Sequence, residues 1–305
     1  MTFSSATGQG RLSGPRDLSG CPVGLVPLGW PDPAADQDGF LSEVAELGYE
    51  GVQYGSPGSD PRTVVSRFGH HGIEFAERYF AIRCTPDGPA QDSLDEADSL
   101  LRELQAVGGR MMVAALDGSP DRDRHAGRAS QAAGLSPEGW DRLTQLLEKV
   151  ASRAAKSGVL VSFHPHAGTY VESPAETQRL LEGCDPSVVG LCLDTGHWLV
   201  GGGDPVAAID TYGRRITHVH LKDVDPDVLR RLSSNGIATL TEAVEERIFC
   251  PLGDGVLDLD GVLRALARVD YQGWLMVEQD SFHGTANEVA ARSRIALAAS
   301  LRQLI

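Results

Sequence analysis

The chain of 305 residues lacks several features that mark large classes of proteins. It has no run of about 18 consecutive apolar residues, so we expect no helix that spans a membrane. Residues 1–20 are rich in Ser, Gly and Thr but have no apolar core of a secretion signal, which predicts a flexible N-terminal leader. The five cysteines are scattered without a CxxC pair. This usage is typical of reduced thiols in a cytoplasmic protein and argues against a cysteine zinc site.

Basic residues are also scarce. The sequence has 27 Lys and Arg against 42 Asp and Glu, which gives a formal net charge of −15 at pH 7. An acidic surface repels phosphate backbones, so we expect no nucleic-acid partner. The first apolar run leads into Pro27–Pro31 without a GxGxxG fingerprint, and no GxSxG motif occurs. These absences disfavour a dinucleotide-dependent oxidoreductase and a serine hydrolase.

Short apolar runs alternate with amphipathic stretches along the chain, a pattern that indicates βα units and a parallel sheet. Eight such runs in a chain of this length predict an α/β protein with a closed (β/α)8 TIM barrel, a single domain over residues 21–305. A doubly wound open sheet is the alternative. The predicted strands are Val23–Gly29, Gly51–Tyr54, Ile73–Tyr79, Arg110–Ala115, Leu160–His164, Val189–Asp194, Ile216–Lys222 and Gly273–Glu278.

Two long segments interrupt this alternation. Asp117–Leu135 is rich in Gly, Asp and Arg and is expected to be a long loop at the active end of the barrel. The second insertion, Asp225–Pro251, contains two short helical patterns at Val228–Leu232 and Leu240–Arg247. Long segments in compact domains often act as lids, so we expect these two to border an active site.

Polar side chains mark the ends of the last four predicted strands. His164 ends the fifth strand, Asp194 ends the sixth, His220 lies near the end of the seventh and Glu278 ends the eighth. The carboxyl ends of barrel strands converge on one mouth, so these four side chains are expected to meet there. Two imidazoles and two carboxylates suit Mn²⁺, Co²⁺, Zn²⁺ or Mg²⁺. The pattern therefore predicts a divalent metal site.

Single members of this set have simpler explanations. Asp194 alone could equally be a helix N-cap, and a lone buried histidine is more often a hydrogen-bonded core residue. His218 and His220 are two residues apart on one side of a strand, so one of them could be structural. Glu278 directly follows an apolar run, and a buried carboxylate must be paired or bound to a metal. The repetition on four successive strands favours the metal site.

Five motifs stand out along the chain: His164–Thr169, Leu193–His197, His218–Asp223, Gly253–Gly255 and Gly273–Glu278. Together they resemble a known family, the sugar phosphate isomerases and epimerases with a xylose isomerase-like barrel, and most closely its inosose dehydratase branch of myo-inositol catabolism. The resemblance covers about residues 20–300. It implies a TIM barrel that binds a divalent metal such as manganese through Asp194, His220 and Glu278. The fourth family ligand is usually a Glu at the end of strand five, and here His164 takes that position.

This resemblance implies a metal-dependent lyase or isomerase that acts on a keto-sugar or keto-cyclitol through an enediolate. Epimerases of the family use a glutamate on each face of the substrate, so His164 favours one-face isomerisation or elimination. Glu278 or His166 would remove the α-proton, and His197 or Lys222 would protonate a departing hydroxyl. For Lys222, a solvated rim position is the alternative. The partner is then a small sugar or cyclitol, and a homodimer is compatible because such barrels often pair.

Residues near the ends of earlier strands are expected to complete the site. Trp30 could form an apolar wall against a sugar ring, and Gln53 and Glu77 could contact substrate hydroxyls. A salt bridge from Glu77 to Arg78 or another basic residue would explain that carboxylate equally well.

Two other functions are compatible with the same barrel, and a third is disfavoured. A dehydratase of a shikimate-type acid would need an arginine at the mouth, and Arg78, Arg128 and Arg214 are available. A non-catalytic sugar-binding barrel is the second alternative, since fold does not fix function. Abasic-site endonucleases of the superfamily are similar at Asp194, His197 and His220, but the sequence lacks their Asp-x-His pair after strand seven.

Overall fold

Eight parallel strands form a closed barrel in the computed structural model, which describes residues 18–30, 35–55, 60–280 and 284–304. Each strand pairs with the next along the chain, and the eighth pairs with the first, so the predicted TIM barrel is confirmed. The barrel strands are β1 (Val23–Leu25), β2 (Gly51–Tyr54), β3 (Glu74–Ile82), β4 (Met111–Leu116), β5 (Leu160–Phe163), β6 (Val189–Asp194), β7 (Ile216–Leu221) and β8 (Leu275–Val277).

Helices follow the strands and bury one side against them, as the amphipathic stretches predict. In α6, Ser173 and Glu176 form a capping box, and Pro174 occupies the first turn where its missing N–H costs nothing. The helices are α1 (Gln37–Glu46), α2 (Pro61–His71), α3 (Ser93–Ala106), α4 (Pro120–Arg124), α5 (Pro137–Ala155), α6 (Pro174–Glu182), α7 (Thr195–Val200), α8 (Pro205–Tyr212), α9 (Pro226–Ser233), α10 (Leu240–Glu245), α11 (Leu259–Arg268) and α12 (Ala286–Arg302).

The first strand is shorter than predicted, because β1 ends at Leu25 and not at Gly29. Pro27 has no N–H to donate to a neighbouring strand. The chain then turns, with the N–H of Leu28 donating to the carbonyl of Val26 at 2.9 Å and Gly29 at a φ of 76°. The prediction followed the apolar composition and did not account for this turn.

The two insertions contain more structure than the sequence suggests. Within Asp117–Leu135, predicted as a loop, the chain forms α4 and a 3-10 helix over Ala129–Gln131. In the second insertion, both predicted helical patterns are present as α9 and α10. A two-stranded antiparallel pair, Asp223–Val224 with Phe249–Cys250, ties this insertion to the end of β7. Another small pair, Cys84–Thr85 with Gly88–Pro89, follows β3.

Regular structure is present before the predicted boundary at residue 21. Leu18–Gly20 form a 3-10 helix, and Leu18 is buried in the main core cluster with the residues of α11. These three residues of the predicted leader therefore belong to the barrel. The remainder of that prediction, residues 1–17, lies outside the described residues.

The barrel interior becomes polar toward the carboxyl ends of β6 and β7. Asp194 pairs with His220 across these two strands, and Cys192 pairs with His218 one step below. Since alternate residues of a strand face the same side, each strand contributes two polar groups to the interior. All five cysteines are free thiols. Within the described ranges, none of the helices combines the length and apolar character that a membrane crossing requires.

Candidate metal centre and active site

His164, Asp194, His220 and Glu278 meet at the carboxyl end of the barrel, and we call them the four-ligand cluster. Each offers one ligand atom, and these atoms all lie within 4.8 Å of one another. Nε2 of His164 is 3.7 Å from Oδ2 of Asp194, and Nδ1 of His220 is 3.8 Å from the same oxygen. All four residues are buried. The sequence places these side chains far apart, and the ends of β5 to β8 bring them together.

The polar atoms of the cluster have the character of metal ligands. Oδ2 of Asp194, Nδ1 of His220 and Oε2 of Glu278 are buried, and no hydrogen-bond partner for them lies in the described part of the chain. Nδ1 of His220 and Oε2 of Glu278 are 2.6 Å apart but are not oriented for a hydrogen bond. Buried polar atoms are rarely left unpaired in native proteins. The donor set therefore fits a divalent cation.

Asp194 uses its two oxygens for different purposes. Oδ1 accepts the backbone N–H of His197 at 2.8 Å and caps the N-terminus of α7, whereas Oδ2 points into the cluster. Burial raises the pKa of this carboxyl, but the charge of Lys222 and the neighbouring His164 outweigh it and hold the pKa below the usual value. The N-cap explanation and the ligand explanation are therefore both compatible with the structure.

Glu77 fixes the orientation of His220 through the ring nitrogen that does not face the four-ligand cluster. Its Oε2 lies 2.8 Å from Nε2 of His220 and 2.5 Å from Nε2 of His218. A carboxylate only accepts, so both Nε2 atoms carry protons, and Nδ1 of His220 is left as the ligand atom. Burial raises the pKa of Glu77, but the two histidines lower it further, to about 2. His218 is thus the structural member of the histidine pair.

Lys222 is fully buried and does not occupy a solvated rim position. Its Nζ lies 3.1 Å from Oε1 of Glu278, 2.8 Å from Oδ2 of Asp280 and 3.5 Å from Oδ2 of Asp194. Burial opposes the ammonium charge, yet these three carboxylates raise the pKa of Lys222 above its ordinary value. Thr195 of α7 fixes the backbone of Lys222 through hydrogen bonds of 2.7 and 2.9 Å. A charged amine therefore lies against the four-ligand cluster.

His166 and His197 form a tilted ring pair beside the cluster, with centroids 3.6 Å apart. Nζ of Lys222 donates to Nε2 of His197 at 3.0 Å, and burial with nearby His166 lowers the pKa of His197 well below its usual value. Nδ1 of His166 lies 2.7 Å from the carbonyl oxygen of Ala167. Burial lowers the pKa of His166 to about 4, so both rings are neutral at pH 7.

The residues predicted to contact substrate have other partners in the structure. Nε1 of Trp30 donates to Oε2 of Glu43 at 2.9 Å, and its ring packs edge-on against Phe40 of α1. Gln53 is half-buried in β2 and pairs in register with Glu77 of β3. Glu77 pairs with the two histidines and not with Arg78. Contacts of Trp30, Gln53 and Glu77 with a substrate stay predictions.

Two further residues of this region were not assigned from the sequence. Asp280 receives the hydrogen bond from Lys222, and burial raises the pKa of Asp280 to about 6 against the effect of that lysine. Tyr79 of β3 lies edge-on to His164, with ring centroids 6.4 Å apart. Burial and the charge of Glu278 raise its pKa. The alternation of β3, in which Glu77 and Tyr79 share a face, is the signal that could have identified Tyr79.

The motif Gly253–Gly255 is a turn held by Asp223. One carboxylate oxygen accepts the N–H groups of Gly253 and Gly255 at 2.9 and 3.1 Å, and the other accepts those of Val224 and Leu257 at 2.8 and 2.9 Å. Asp223 comes directly after Lys222. The motif therefore anchors the chain segment that leaves β7 and contributes no side chain to the four-ligand cluster.

Comparison with known proteins identifies the family. Residues 41–301 match the family model of the xylose isomerase-like TIM barrel. An inosose dehydratase of Geobacillus kaustophilus (strain HTA426) is 33% identical over 268 residues, which cover 85% of this chain and 87% of the relative. An inosose dehydratase of Clostridium botulinum (strain Alaska E43 / Type E3) is 28% identical, and the match covers 89% of this chain and 94% of the relative.

Solved structures share the fold at low identity. The IolI protein with a binding zinc atom has a TM-score of 0.67 and 16% identity, and the match covers 88% of this chain and 93% of that chain. L-ribulose 3-epimerase has a TM-score of 0.69 and 16% identity, and the match covers 93% of this chain and 97% of that chain. The match to the family model and the identity to the Geobacillus relative show that this chain belongs to the xylose isomerase-like TIM barrel family.

Proposed function

We propose that this chain is a divalent-metal-dependent dehydratase of a keto-cyclitol such as an inosose. The observation that carries the proposal is the four-ligand cluster, whose buried, unpaired atoms lie beside a charged lysine and a neutral histidine. The inosose dehydratase relatives, which align over most of their length, support the same reaction class.

His164, Asp194, His220 and Glu278 would hold the metal, whose identity is part of the proposal. When bound, a divalent cation polarises the carbonyl and the adjacent hydroxyl of the substrate and makes the α-proton more acidic. Mn²⁺ or Co²⁺ suits the mixed nitrogen and oxygen donors, and the zinc of the IolI structure shows that this fold accommodates such an ion in that protein.

His166 is the base that we propose for the α-proton. The carbonyl of Ala167 accepts from Nδ1 of His166, so the neutral ring carries its proton there and keeps a lone pair on Nε2. Glu278, the other candidate, has Oε1 beside Lys222 and Oε2 in the cluster, so both oxygens are engaged. The electron pair of the broken C–H bond then forms the enediolate of the substrate.

Lys222 is the acid that we propose for the departing hydroxyl. The enediolate expels the β-hydroxyl as its C–O bond breaks, and Lys222 supplies the proton that makes it water. His197, the other candidate, is neutral and accepts at Nε2 from Lys222, so that nitrogen has no proton to give. Asp280 holds the ammonium in position through its 2.8 Å hydrogen bond. The enol that remains tautomerises to a diketone.

The proposed substrate is an uncharged polyol ketone. The arginines considered for carboxylate recognition have partners elsewhere: Arg78 pairs with Glu103, Arg128 donates to the carbonyls of Leu232 and Arg124, and Arg214 is exposed beside Asp270. This arrangement gives the shikimate-type acid no specific support. A glutamate at position 164 would favour two-face epimerisation, and His164 supports elimination instead.

The test combines metal analysis with proton exchange. Metal-free protein is loaded with Mn²⁺ or Co²⁺ and incubated with inososes and small ketoses in D₂O, and water loss and α-deuteration are followed by mass spectrometry and NMR. We expect the wild type to dehydrate an inosose. Glu278→Gln should lose metal, His166→Ala should keep metal but lose α-deuteration, and Lys222→Met should keep exchange but lose dehydration by about 100-fold or more.

His70→Ala, a substitution of a surface histidine in α2, is the matched control and should behave as the wild type. A wild-type protein that binds no divalent ion, and equally one that exchanges the α-proton of ketoses without dehydrating any inosose, would contradict the proposal. The second result would assign the chain to isomerisation instead.

A further inference from the structure

We propose that Cys192 gives the barrel a second, softer ion-binding position that shares His164 and His220 with the four-ligand cluster and binds thiophilic cations such as Cd²⁺ or Zn²⁺ through its sulfur. Ligand atoms of these three residues all lie within 4.8 Å of one another. This inference uses two histidines of the proposed metal centre, but it does not depend on the proposed reaction.

The position of Cys192 follows from the strand geometry. Cys192 and Asp194 are two residues apart in β6, so both side chains face the barrel interior, with Cys192 one step farther from the mouth. Both residues are buried. The two histidines therefore lie near the carboxylates of the cluster and also near the thiol of Cys192, which is one step farther from the mouth.

The shared histidines have atoms free for a ligand. Nδ1 of His164 and Nδ1 of His220 are buried, and neither has a hydrogen-bond partner among the residues that the structure describes. Both side chains are nearly inaccessible, at 1% exposure. Unpaired imidazole nitrogens beside a thiol make a ligand set that soft and borderline ions prefer over Mg²⁺ or Mn²⁺.

The chemistry divides the ions between the two positions. A hard ion is held best by the oxygens of Asp194 and Glu278 with the histidines, whereas Cd²⁺ or Zn²⁺ gains a sulfur ligand from Cys192. The thiol releases its proton to solvent when the metal–sulfur bond forms. Because both positions need His164 and His220, one ion excludes the other. Cys192 would thus determine which metal ions occupy the four-ligand cluster and which are diverted to the second position.

The test is a titration of metal-free protein with Cd²⁺, followed by the ultraviolet charge-transfer band from thiolate to cadmium. We expect the band to saturate at about one equivalent in the wild type and to be absent in Cys192→Ser. Cys184→Ser is the matched control, because Cys184 is also buried but lies in a different core cluster beside α6, and this variant should keep the band. A wild type without the band, or Cys192→Ser with it, would overturn the inference.

Two additional measurements keep the result interpretable. If Cys192→Ser does not fold, X-ray absorption of the zinc-loaded wild type decides, since a sulfur neighbour at about 2.3 Å supports the inference and a shell of only nitrogen and oxygen overturns it. Mn²⁺ binding, followed by electron paramagnetic resonance, should survive in Cys192→Ser. A cadmium band without Mn²⁺ binding in any variant would refute the proposed metal centre and leave this inference intact.

Discussion

Glu77 lies outside the four-ligand cluster, and we expect it to influence the proposed metal centre. It lies in β3, on the opposite side of the barrel from β7, and its carboxylate meets the Nε2 atoms of His218 and His220. A carboxylate behind a ligating histidine fixes the tautomer and increases the basicity of the ligand nitrogen. Its lowered pKa keeps Glu77 ionised at any pH at which the enzyme would operate.

Glu77→Gln is therefore expected to weaken metal binding. The neutral amide keeps an acceptor for the histidines but removes the charge that supports His220, so affinity for Mn²⁺ or Co²⁺ should fall by about 10- to 100-fold. Isothermal titration calorimetry of metal-free protein measures this change. Glu103→Gln, which alters the surface partner of Arg78, should bind as the wild type. Wild-type affinity in Glu77→Gln would show that the contact is only structural.

The meeting of His164, Asp194, His220 and Glu278 could be predicted from the sequence, and most of their neighbours could not. Each ligand is next to or within an apolar run, so its place at a strand end is a local property of the chain. The contact of Glu77 with His220 joins residues 143 positions apart. It depends on how strands on opposite sides of a barrel face each other, which single-strand patterns do not encode. Asp280 was overlooked because no apolar run precedes it directly.

At the scale of elements, α7 and the end of β7 are packed closely enough to determine the position of Lys222. A Cβ atom on Gly196 would lie 2.6 Å from Cγ of Lys222 and 2.9 Å from its Cβ. Those atoms belong to the base of the side chain, which the backbone bonds to Thr195 hold in place. Glycine at this position is a requirement of packing.

Gly196→Ala should accordingly displace the lysine ammonium while the four ligands remain. We expect dehydration of the inosose substrate to fall by about 100-fold or more, with Mn²⁺ content and α-deuteration retained. Gly69→Ala in α2, where no atom lies within 4 Å of the added methyl group, is the control and should be fully active. The free energy of unfolding of this control should equal that of the wild type or exceed it by up to about 1 kcal/mol. Full dehydration activity in Gly196→Ala would remove Lys222 from the mechanism.

Element boundaries were predicted well where hydrophobic periodicity determines them and less well where backbone chemistry does. The bounds of β2 and β6 match the prediction: β2 is followed by the exposed Gly55, and β6 ends at Asp194, which caps α7. β1 stops early because Pro27 cannot continue the ladder, and the segment after β4 contains α4, which starts at a serine cap followed by proline. The Ser119-Pro120 pair is the local sequence signal for the start of this helix.

At the scale of the whole molecule, the metal ion would join half of the barrel. Its ligands come from the ends of β5, β6, β7 and β8, and β8 is the strand that closes the barrel against β1. An ion that binds only the folded state stabilises it by mass action, by about 2.7 kcal/mol at 100 times Kd. For a domain of about 300 residues, that corresponds to a rise in Tm of roughly 4 °C.

This stabilisation should increase with pH. Burial lowers the pKa of His220, but its acidic neighbours, including Glu77 and Glu278, raise it well above the usual value in the metal-free protein. Below that pKa the ion must displace a proton, so the Tm shift on adding Mn²⁺ should be smaller at about pH 6 than at about pH 8. Calorimetry with and without a chelator measures the shift, and Glu278→Gln should show none. A shift that decreases with pH would contradict this assignment of His220.

The shared carboxylate of Asp194 has a consequence for how distant sequences are compared. One oxygen starts α7 and the other faces the cluster, so a lineage that abandoned the chemistry would still be under selection to keep a capping side chain there. An aspartate at the position of Asp194 in a distant sequence is therefore weak evidence that the protein still has enzymatic activity. Glu278 caps no helix among the described elements, and its retention across evolution would discriminate working descendants from inactive ones far better.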